Sequence, residues 1–76
     1  MNKVILRLRF IKTKEVIEVI FDTRLSFIQN FNLLKYLIEI KENDIEIYDK
    51  NHRCFLKKDL PLKEFSFSNF YELSIY

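Results

Sequence analysis

His52 and Cys54 are the pair of residues whose types come closest to catalytic chemistry in this chain. A thiol beside an imidazole can form a nucleophile and its general base. On a strand, two positions separated by one residue point the same way, so contact between the two side chains is feasible. Nothing in the sequence indicates a cleft, an oxyanion-hole donor or a group that would orient the imidazole. We therefore expect no catalytic residue, with Cys54 a buried or half-buried thiol and His52 a turn residue.

The composition argues against cofactor and metal sites. The chain has 76 residues, with one Cys, one His and no Gly. A closed zinc site needs four ligands, and phosphate-binding loops need glycines where the backbone approaches the phosphate. A chain of this size buries only about 60% of its unfolded surface, which leaves little room for a deep substrate cavity. We expect no metal, no cofactor and no enzymatic activity.

A group of basic residues near the N-terminus could bind single-stranded nucleic acid, which needs a basic groove with stacking aromatics. The net charge is only +2. Glu18 and Glu72 are the expected outward neighbours of two of these arginines and would neutralise their field. A nucleic-acid-binding or regulatory module is therefore the alternative function, not the preferred one. The basic residues are Arg7, Arg9, Lys12 and Lys14.

Apolar residues that alternate with polar ones predict the strands that must position these side chains. The predicted strands cover residues 4–11, 15–21, 44–48, 53–56 and 71–76. The polar stretch 12–14 predicts a hairpin turn, 49–52 a second turn, and 62–67 a single turn that packs Leu62 and Phe65. Nothing in the sequence indicates a repeat, a linker or a second domain, so residues 1–76 are expected to form one domain.

Helical spacing predicts one amphipathic helix. Phe27, Phe31, Leu34 and Ile38 fall within about 60° of each other at 100° per residue, and the helix is expected to end near Ile40. Phe31 and Leu34 should be almost fully buried beneath the sheet. The sheet residues expected above them are Leu6, Val19, Ile47 and Leu73. The candidate N-caps are Asp22, Thr23 and Ser26.

The order strand, strand, helix, strand, strand, turn, strand predicts an α+β fold of the β-grasp type. The first and last strands should lie at the centre of a mixed sheet of four or five strands, with the helix across one face. The sheet face turned away from the helix is called the outer face below. It is expected to carry β-branched and aromatic residues beside charges, a mixture typical of protein-binding surfaces.

We expect the outer face to be the partner-binding site. Its predicted partner-binding residues are Ile5, Arg7, Arg9, Ile20, Glu46, Tyr48, Glu72 and Tyr76. Its remaining predicted residues are Val16, Glu18 and Ser74.

Three segments of the sequence resemble ubiquitin. They are the passage 19–25 (VIFDTRL) from strand to helix, the stretch 61–67 (PLKEFSF), and the last strand around 72–75 (ELSI). The resemblance implies a β-grasp fold over nearly the whole chain. Ubiquitin and its sulfur-carrier relatives end in a flexible Gly-Gly tail, whereas this sequence has no Gly and reaches Tyr76 within its last predicted strand. We therefore expect neither conjugation nor sulfur transfer. Glu46 occupies the position of an exposed apolar recognition residue, so ubiquitin's usual receptors are not expected either.

The segments 25–37 and 60–76 are similar in pattern to the YukD and EsaB group of small bacterial ubiquitin-like proteins without a Gly-Gly tail. This resemblance implies an adaptor that binds a protein component of a type VII secretion system. The N-terminal segment predicts no signal peptide, because Arg7 and Arg9 interrupt its apolar residues. No stretch approaches the roughly 20 apolar residues of a membrane span. A cytoplasmic location and no membrane insertion are therefore expected.

Overall fold

The computed structural model describes residues 2–34 and 45–76. The elements follow one another in the predicted order, and all structural statements below refer to these residues. The elements are β1 (Lys3–Phe10), β2 (Val16–Asp22), α1 (Phe27–Leu34), β3 (Ile47–Asp49), β4 (Cys54–Phe55), a 3-10 turn (Leu62–Phe65) and β5 (Tyr71–Ile75).

The strands form one 5-stranded sheet in the order β2-β1-β5-β3-β4. The central pair, β1 and β5, is parallel, with Leu8 opposite Leu73. The other neighbours run antiparallel. This is the predicted β-grasp arrangement, with the N-terminal and C-terminal strands at the centre of a mixed sheet.

The hairpin between β1 and β2 closes without glycine. Lys14 adopts a positive φ of 63°. A residue other than glycine adopts this backbone conformation at some cost in energy. The Phe10 N–H donates to the Glu15 carbonyl at 2.8 Å, and the Lys14 N–H donates to the Phe10 carbonyl at 2.8 Å. These two hydrogen bonds offset the strain and fix the register of the hairpin.

Ser26 is the N-cap of α1. Its hydroxyl accepts from the Gln29 N–H at 3.2 Å, and the Gln29 side chain accepts from the Ser26 N–H at 2.9 Å. This reciprocal pair is a capping box. Asp22, another candidate cap, instead accepts from the Arg24 N–H at 2.9 Å. The cap therefore fixes where the aromatic face of α1 begins.

The core lies between α1 and one face of the sheet. Phe27 and Phe31 are fully buried. Their rings stack with centroids 5.9 Å apart, and Phe21 meets Phe27 edge-on at 5.3 Å. The sheet residues beneath them include Leu6, Val19, Ile47 and Leu73, all buried as predicted.

The prediction that Leu34 is almost fully buried is wrong. Leu34 is only partly buried at the end of α1. It lines a groove beside the edge strand β2, together with Ile20 and Leu33, so the central strands do not cover it. A helical wheel gives the direction of a side chain but not its position across the sheet, which is why the sequence did not distinguish Leu34 from Phe31.

Several strand and helix limits also differ from the predictions. β3 begins at Ile47, and β4 comprises only Cys54–Phe55 because the positive φ of Arg53, 52°, keeps that residue in the preceding turn. β5 ends at Ile75, although the Tyr76 N–H still donates to the Glu46 carbonyl at 2.9 Å. The predicted helix beyond Leu34, with Ile38 and the end near Ile40, and the predicted start of the third strand at position 44 lie outside the described residues.

None of the helices in the described part of the chain is both long and apolar enough to cross a membrane.

Candidate functional site

The outer face collects all of the predicted partner-binding residues. Alternation in β1 and β5 buries Leu8 and Leu73 and turns their sequence neighbours to the other face. None of the predicted partner-binding residues is buried. They are Ile5, Arg7, Arg9, Ile20, Glu46, Tyr48, Glu72 and Tyr76.

The centre of the outer face is charged and internally paired. Arg7 donates to Glu18 at 3.1 Å. Arg9 donates to both carboxylate oxygens of Glu72, at 3.2 and 3.3 Å. The hydrogen bond from Arg9 is the largest cause of the lowered pKa of Glu72. These pairs match the expected neutralisation of the basic hairpin.

One end of the outer face is aromatic. Tyr48 and Phe55 lie opposite each other on β3 and β4, with ring centroids 5.2 Å apart. Tyr76 lies 6.4 Å from each of these rings. Phe55 is 59% exposed and Tyr76 is 46% exposed. We call Tyr48, Phe55 and Tyr76 the aromatic cluster.

Phe55 was not among the predicted partner-binding residues. Its strand has only two residues, too few for alternation to assign a face. Its position follows from the tertiary register, which sets it against Tyr48. An aromatic residue three positions after the predicted turn 49–52 was the only signal available in the sequence.

The opposite end of the outer face is aliphatic. Ile5 and Ile20 are cross-strand partners on β1 and β2. Ile20 is 68% exposed, while Ile5 is partly buried. The outer face thus runs from an aliphatic end, across paired charges, to the aromatic cluster.

Ser74 is not exposed, contrary to the prediction. It lies between Arg9 and Tyr48 in the register, and it is buried. A short side chain between two long ones loses its contact with solvent. Ser74 is therefore part of the floor of the outer face and is not available as a contact residue.

His52 lies in a turn, as expected, but the expected burial of Cys54 is wrong. The positive φ of Arg53 places residue 53 in a turn, so strand alternation does not align the residues on either side of it. Cys54 is exposed, whereas a buried or half-buried thiol was expected. The His52 ring instead contacts Asp49, with Nδ1 2.8 Å from Oδ2.

Asp49 is a residue that the sequence analysis missed. Its buried carboxylate accepts from the Tyr71 hydroxyl at 2.7 Å and from the Asn51 and His52 N–H groups at 3.1 and 3.3 Å. Burial alone would raise the pKa of Asp49, but the hydrogen bonds from Tyr71 and His52 outweigh burial and lower it. The network ties β3 to the following turn and to β5. It fixes the backbone next to the aromatic cluster.

Comparisons with known proteins identify the fold. No family model and no curated protein matches the chain. Three of the solved structures that are similar to it match nearly its whole length. The first, described as "Molecular Mimicry of SUMO promotes DNA repair", has a TM-score of 0.81 at 12% identity and covers 100% of this chain and 92% of its own.

The second is a ubiquitin-like domain of an Arabidopsis thaliana protein, with a TM-score of 0.74 at 13% identity, covering 100% of this chain and 78% of its own. The third belongs to the toluene 4-monooxygenase HD complex with the inhibitor 4-bromobenzoate, with a TM-score of 0.71 at 14% identity, covering 96% and 95% of the two chains. Together with the sheet order, these similarities show an α+β, ubiquitin-like β-grasp fold.

Proposed function

We propose that this ubiquitin-like domain is a non-enzymatic, non-conjugated adaptor that binds a protein partner on the outer face of its sheet. The aromatic cluster is the observation that carries the proposal. Phe55, on the edge strand β4, and Tyr76, directly after β5, expose 59% and 46% of their surface. Large exposed rings that touch one another form an apolar patch that a partner can cover.

The composition of the outer face fits a protein interface. Tyr and Arg are enriched among the residues that contribute most binding energy, because they offer large contact area and hydrogen bonds together. The aromatic cluster supplies the apolar area, and the Arg9–Glu72 pair supplies a polar rim beside it. Since Arg9 is held by two hydrogen bonds, its guanidinium is already oriented before a partner arrives.

The non-enzymatic part of the proposal is supported by the surroundings of Asp49 and His52. The Asp49 carboxylate is already hydrogen-bonded to the Tyr71 hydroxyl and to two backbone N–H groups, and it contacts the His52 ring. The non-conjugated part is supported by the absence of Gly from the sequence, since activating enzymes thread a thin glycine tail. An adenylate or thioester formed on this chain by an activating enzyme would exclude that part.

Nucleic-acid binding by the basic hairpin has less support. Arg7 and Arg9 are each paired with a carboxylate. A phosphate backbone would have to displace Glu18 and Glu72 before it could use these arginines. Binding that falls steeply with salt concentration would favour nucleic acid, whereas binding governed by the aromatic cluster would depend weakly on salt.

The finer proposal is that the partner is a component of a type VII secretion system and that the adaptor acts in the cytoplasm. The support is the pattern similarity of segments 25–37 and 60–76 to the YukD and EsaB group. Genes for a secretion ATPase and small secreted helical proteins beside the gene for this chain would support that pathway. A neighbourhood without them would remove its support and leave the adaptor proposal standing.

Replacing Tyr76 and Arg7 together by Ala should weaken partner capture while preserving the fold. Both side chains lie on the outer face, and the ion pair of Arg7 with Glu18 is solvent-exposed. The free energy of unfolding should change by about 0.5 kcal/mol or less for each substitution. Loss of interface hot spots should weaken partner binding by about 2 kcal/mol or more. Quantitative affinity capture from the native host and thermal melting measure the two effects.

A matched control is Lys63→Ala, which removes an exposed charge from the 3-10 turn, away from the outer face. It should recover every partner as the unaltered protein does. Equal recovery of all partners by the double variant and the control would exclude the outer face as the docking surface.

A further inference from the structure

Glu46 lies beside the aromatic cluster on the outer face. Its N–H donates to the Tyr76 carbonyl at 3.2 Å, and its carbonyl accepts from the Tyr76 N–H at 2.9 Å. Two residues that exchange both backbone hydrogen bonds lie directly opposite each other, with their side chains on the same face. Ile47 is buried, so Glu46 and Tyr48, on either side of it, both turn outward. The Glu46 carboxylate therefore lies on the same face as the rings and next to two of them.

Glu46 is less tightly paired than the other carboxylates of the outer face. Glu18 and Glu72 both accept hydrogen bonds from arginines. Within residues 2–34 and 45–76, the ion-pair partner of Glu46 is Lys58, whose Nζ is 3.7 Å from the carboxylate. That ammonium donates to the Ile45 carbonyl at 2.8 Å. The Glu46 side chain remains 58% exposed, so a cation from another molecule can reach it.

The three rings of the aromatic cluster form a small triangle. Their centroids are 5.2, 6.4 and 6.4 Å apart, and their planes are inclined to one another at 69°, 89° and 62°. A cation held close above the centre of this triangle would lie within about 6 Å of every centroid, which is the range of cation–π attraction. Phe55 and Tyr76 are 59% and 46% exposed, so their rings are accessible to a ligand.

An arginine side chain complements both the rings and the carboxylate. A guanidinium is planar, so it stacks on aromatic rings, and it can donate two parallel hydrogen bonds to one carboxylate. A lysine ammonium has the charge but not the plane. A phosphate or an acidic side chain would be repelled by Glu46, which is exposed beside the cluster. The chemistry of this end of the outer face therefore favours a guanidinium as its ligand.

We propose that the aromatic cluster and Glu46 bind an arginine side chain of the protein partner, with its guanidinium over the rings and hydrogen-bonded to the Glu46 carboxylate. This inference rests on the adaptor function proposed above and adds the chemistry of the residue that the partner inserts. Apolar residues beside that arginine would cover the exposed ring of Phe55. A single ion pair makes binding only weakly dependent on salt, unlike the many phosphate contacts of a nucleic-acid-binding protein.

The probe is a blocked synthetic peptide with one arginine between two leucines, and its control has citrulline, an uncharged analogue of the same shape, in place of the arginine. In a two-dimensional NMR titration of the unaltered protein, the arginine peptide should shift the amide signals of Glu46, Phe55 and Tyr76. The citrulline peptide should bind at least about fivefold more weakly, because it lacks the charge that the rings and the carboxylate attract. Equal affinities, shifts confined to other residues, or no shifts would overturn the proposal.

Glu46→Gln and Glu18→Gln form a matched pair of variants. Both remove one exposed carboxylate from the outer face, but only Glu46 lies beside the aromatic cluster. Glu46→Gln should bind the arginine peptide about three- to tenfold more weakly, through loss of a charge-assisted hydrogen bond. Glu18→Gln should bind it as the unaltered protein does. Equal weakening in both variants would indicate a general attraction to negative charge and would overturn the proposal.

Phe55→Leu separates arginine binding from apolar docking, because leucine keeps apolar area at this position but has no aromatic ring. Phe55→Leu should bind the arginine peptide about two- to fivefold more weakly, whereas Tyr76→Phe, which keeps its ring, should not. If Phe55→Leu binds the peptide and recovers native partners fully while Phe55→Ala loses those partners, the arginine proposal is wrong and the adaptor proposal stands. Peptide binding at the cluster with undiminished partner recovery by Phe55→Ala would contradict the adaptor proposal and leave the arginine site in place.

Discussion

Replacing Phe31 by Ala should lower the free energy of unfolding by about 3–5 kcal/mol. Phe31 is fully buried, and its ring stacks on that of Phe27 at 5.9 Å. Removal of the ring takes away apolar contacts and leaves a cavity between α1 and the central strands. Small domains are often stable by only about 5–15 kcal/mol, so the loss is a large fraction of the total. Equilibrium unfolding in urea measures it.

Leu34→Ala and Leu33→Ala are the controls on the same helix. Leu34 is partly buried, so its loss should lie between those of the other two variants. Leu33 is 57% exposed, and its replacement should change stability by about 0.5 kcal/mol or less. An unchanged urea midpoint for Phe31→Ala, or a larger loss for Leu33→Ala, would contradict the face assigned to α1.

Asp49→Ala is expected to cost about 2–4 kcal/mol, since it leaves the Tyr71 hydroxyl and nearby backbone N–H groups without their acceptor. Tyr71 donates to Asp49 at 2.7 Å, and Asn51 donates from its backbone at 3.1 Å. Asp49→Asn keeps an acceptor oxygen of similar shape and should cost less. Urea unfolding of both variants at neutral pH tests this order, and an unchanged stability of Asp49→Ala would contradict a role of the carboxylate in the network.

The Asp49 carboxylate should also make the free energy of unfolding depend on pH. The pKa of Asp49 in the folded protein lies below its ordinary value of 3.8, because hydrogen bonds from Tyr71 and His52 outweigh the effect of burial. The carboxylate therefore stabilises the fold fully above about pH 5, and this contribution is lost as the pH falls through the folded pKa. Asp49→Asn should show a shallower loss of stability between about pH 5 and pH 2. Identical pH profiles for the variant and the unaltered protein would contradict the lowered pKa.

The strand pattern predicted most of the fold because alternation reports directly on burial. Val4, Leu6 and Leu8 face the core, and Arg7 and Arg9 face outward, as the period of two requires. The same rule placed the outward residues of β5 beside those of β1. The exception is Ser74, whose exposure depends on the size of its neighbours across the strands and not on its own direction.

The missed features depend on contacts between elements far apart in the sequence. Phe55 belongs to the aromatic cluster only because β4 pairs with β3 in one register. Asp49 is part of a network because Tyr71, from the last strand, reaches it. Strand alternation would have allowed His52 and Cys54 to point the same way, but the positive φ of Arg53 places that residue in a turn. Nothing in the sequence predicts a positive φ at an arginine.

The most direct test of the proposed docking surface compares Phe55→Ala with Phe70→Ala. The two rings are 59% and 54% exposed, but only Phe55 belongs to the aromatic cluster. Both variants should melt near the unaltered protein, because each ring is largely solvated. Phe55→Ala should reduce partner recovery from the native host at least about tenfold, and Phe70→Ala should leave it unchanged. Undiminished recovery by Phe55→Ala, or an equal loss for both variants, would contradict docking through the aromatic cluster.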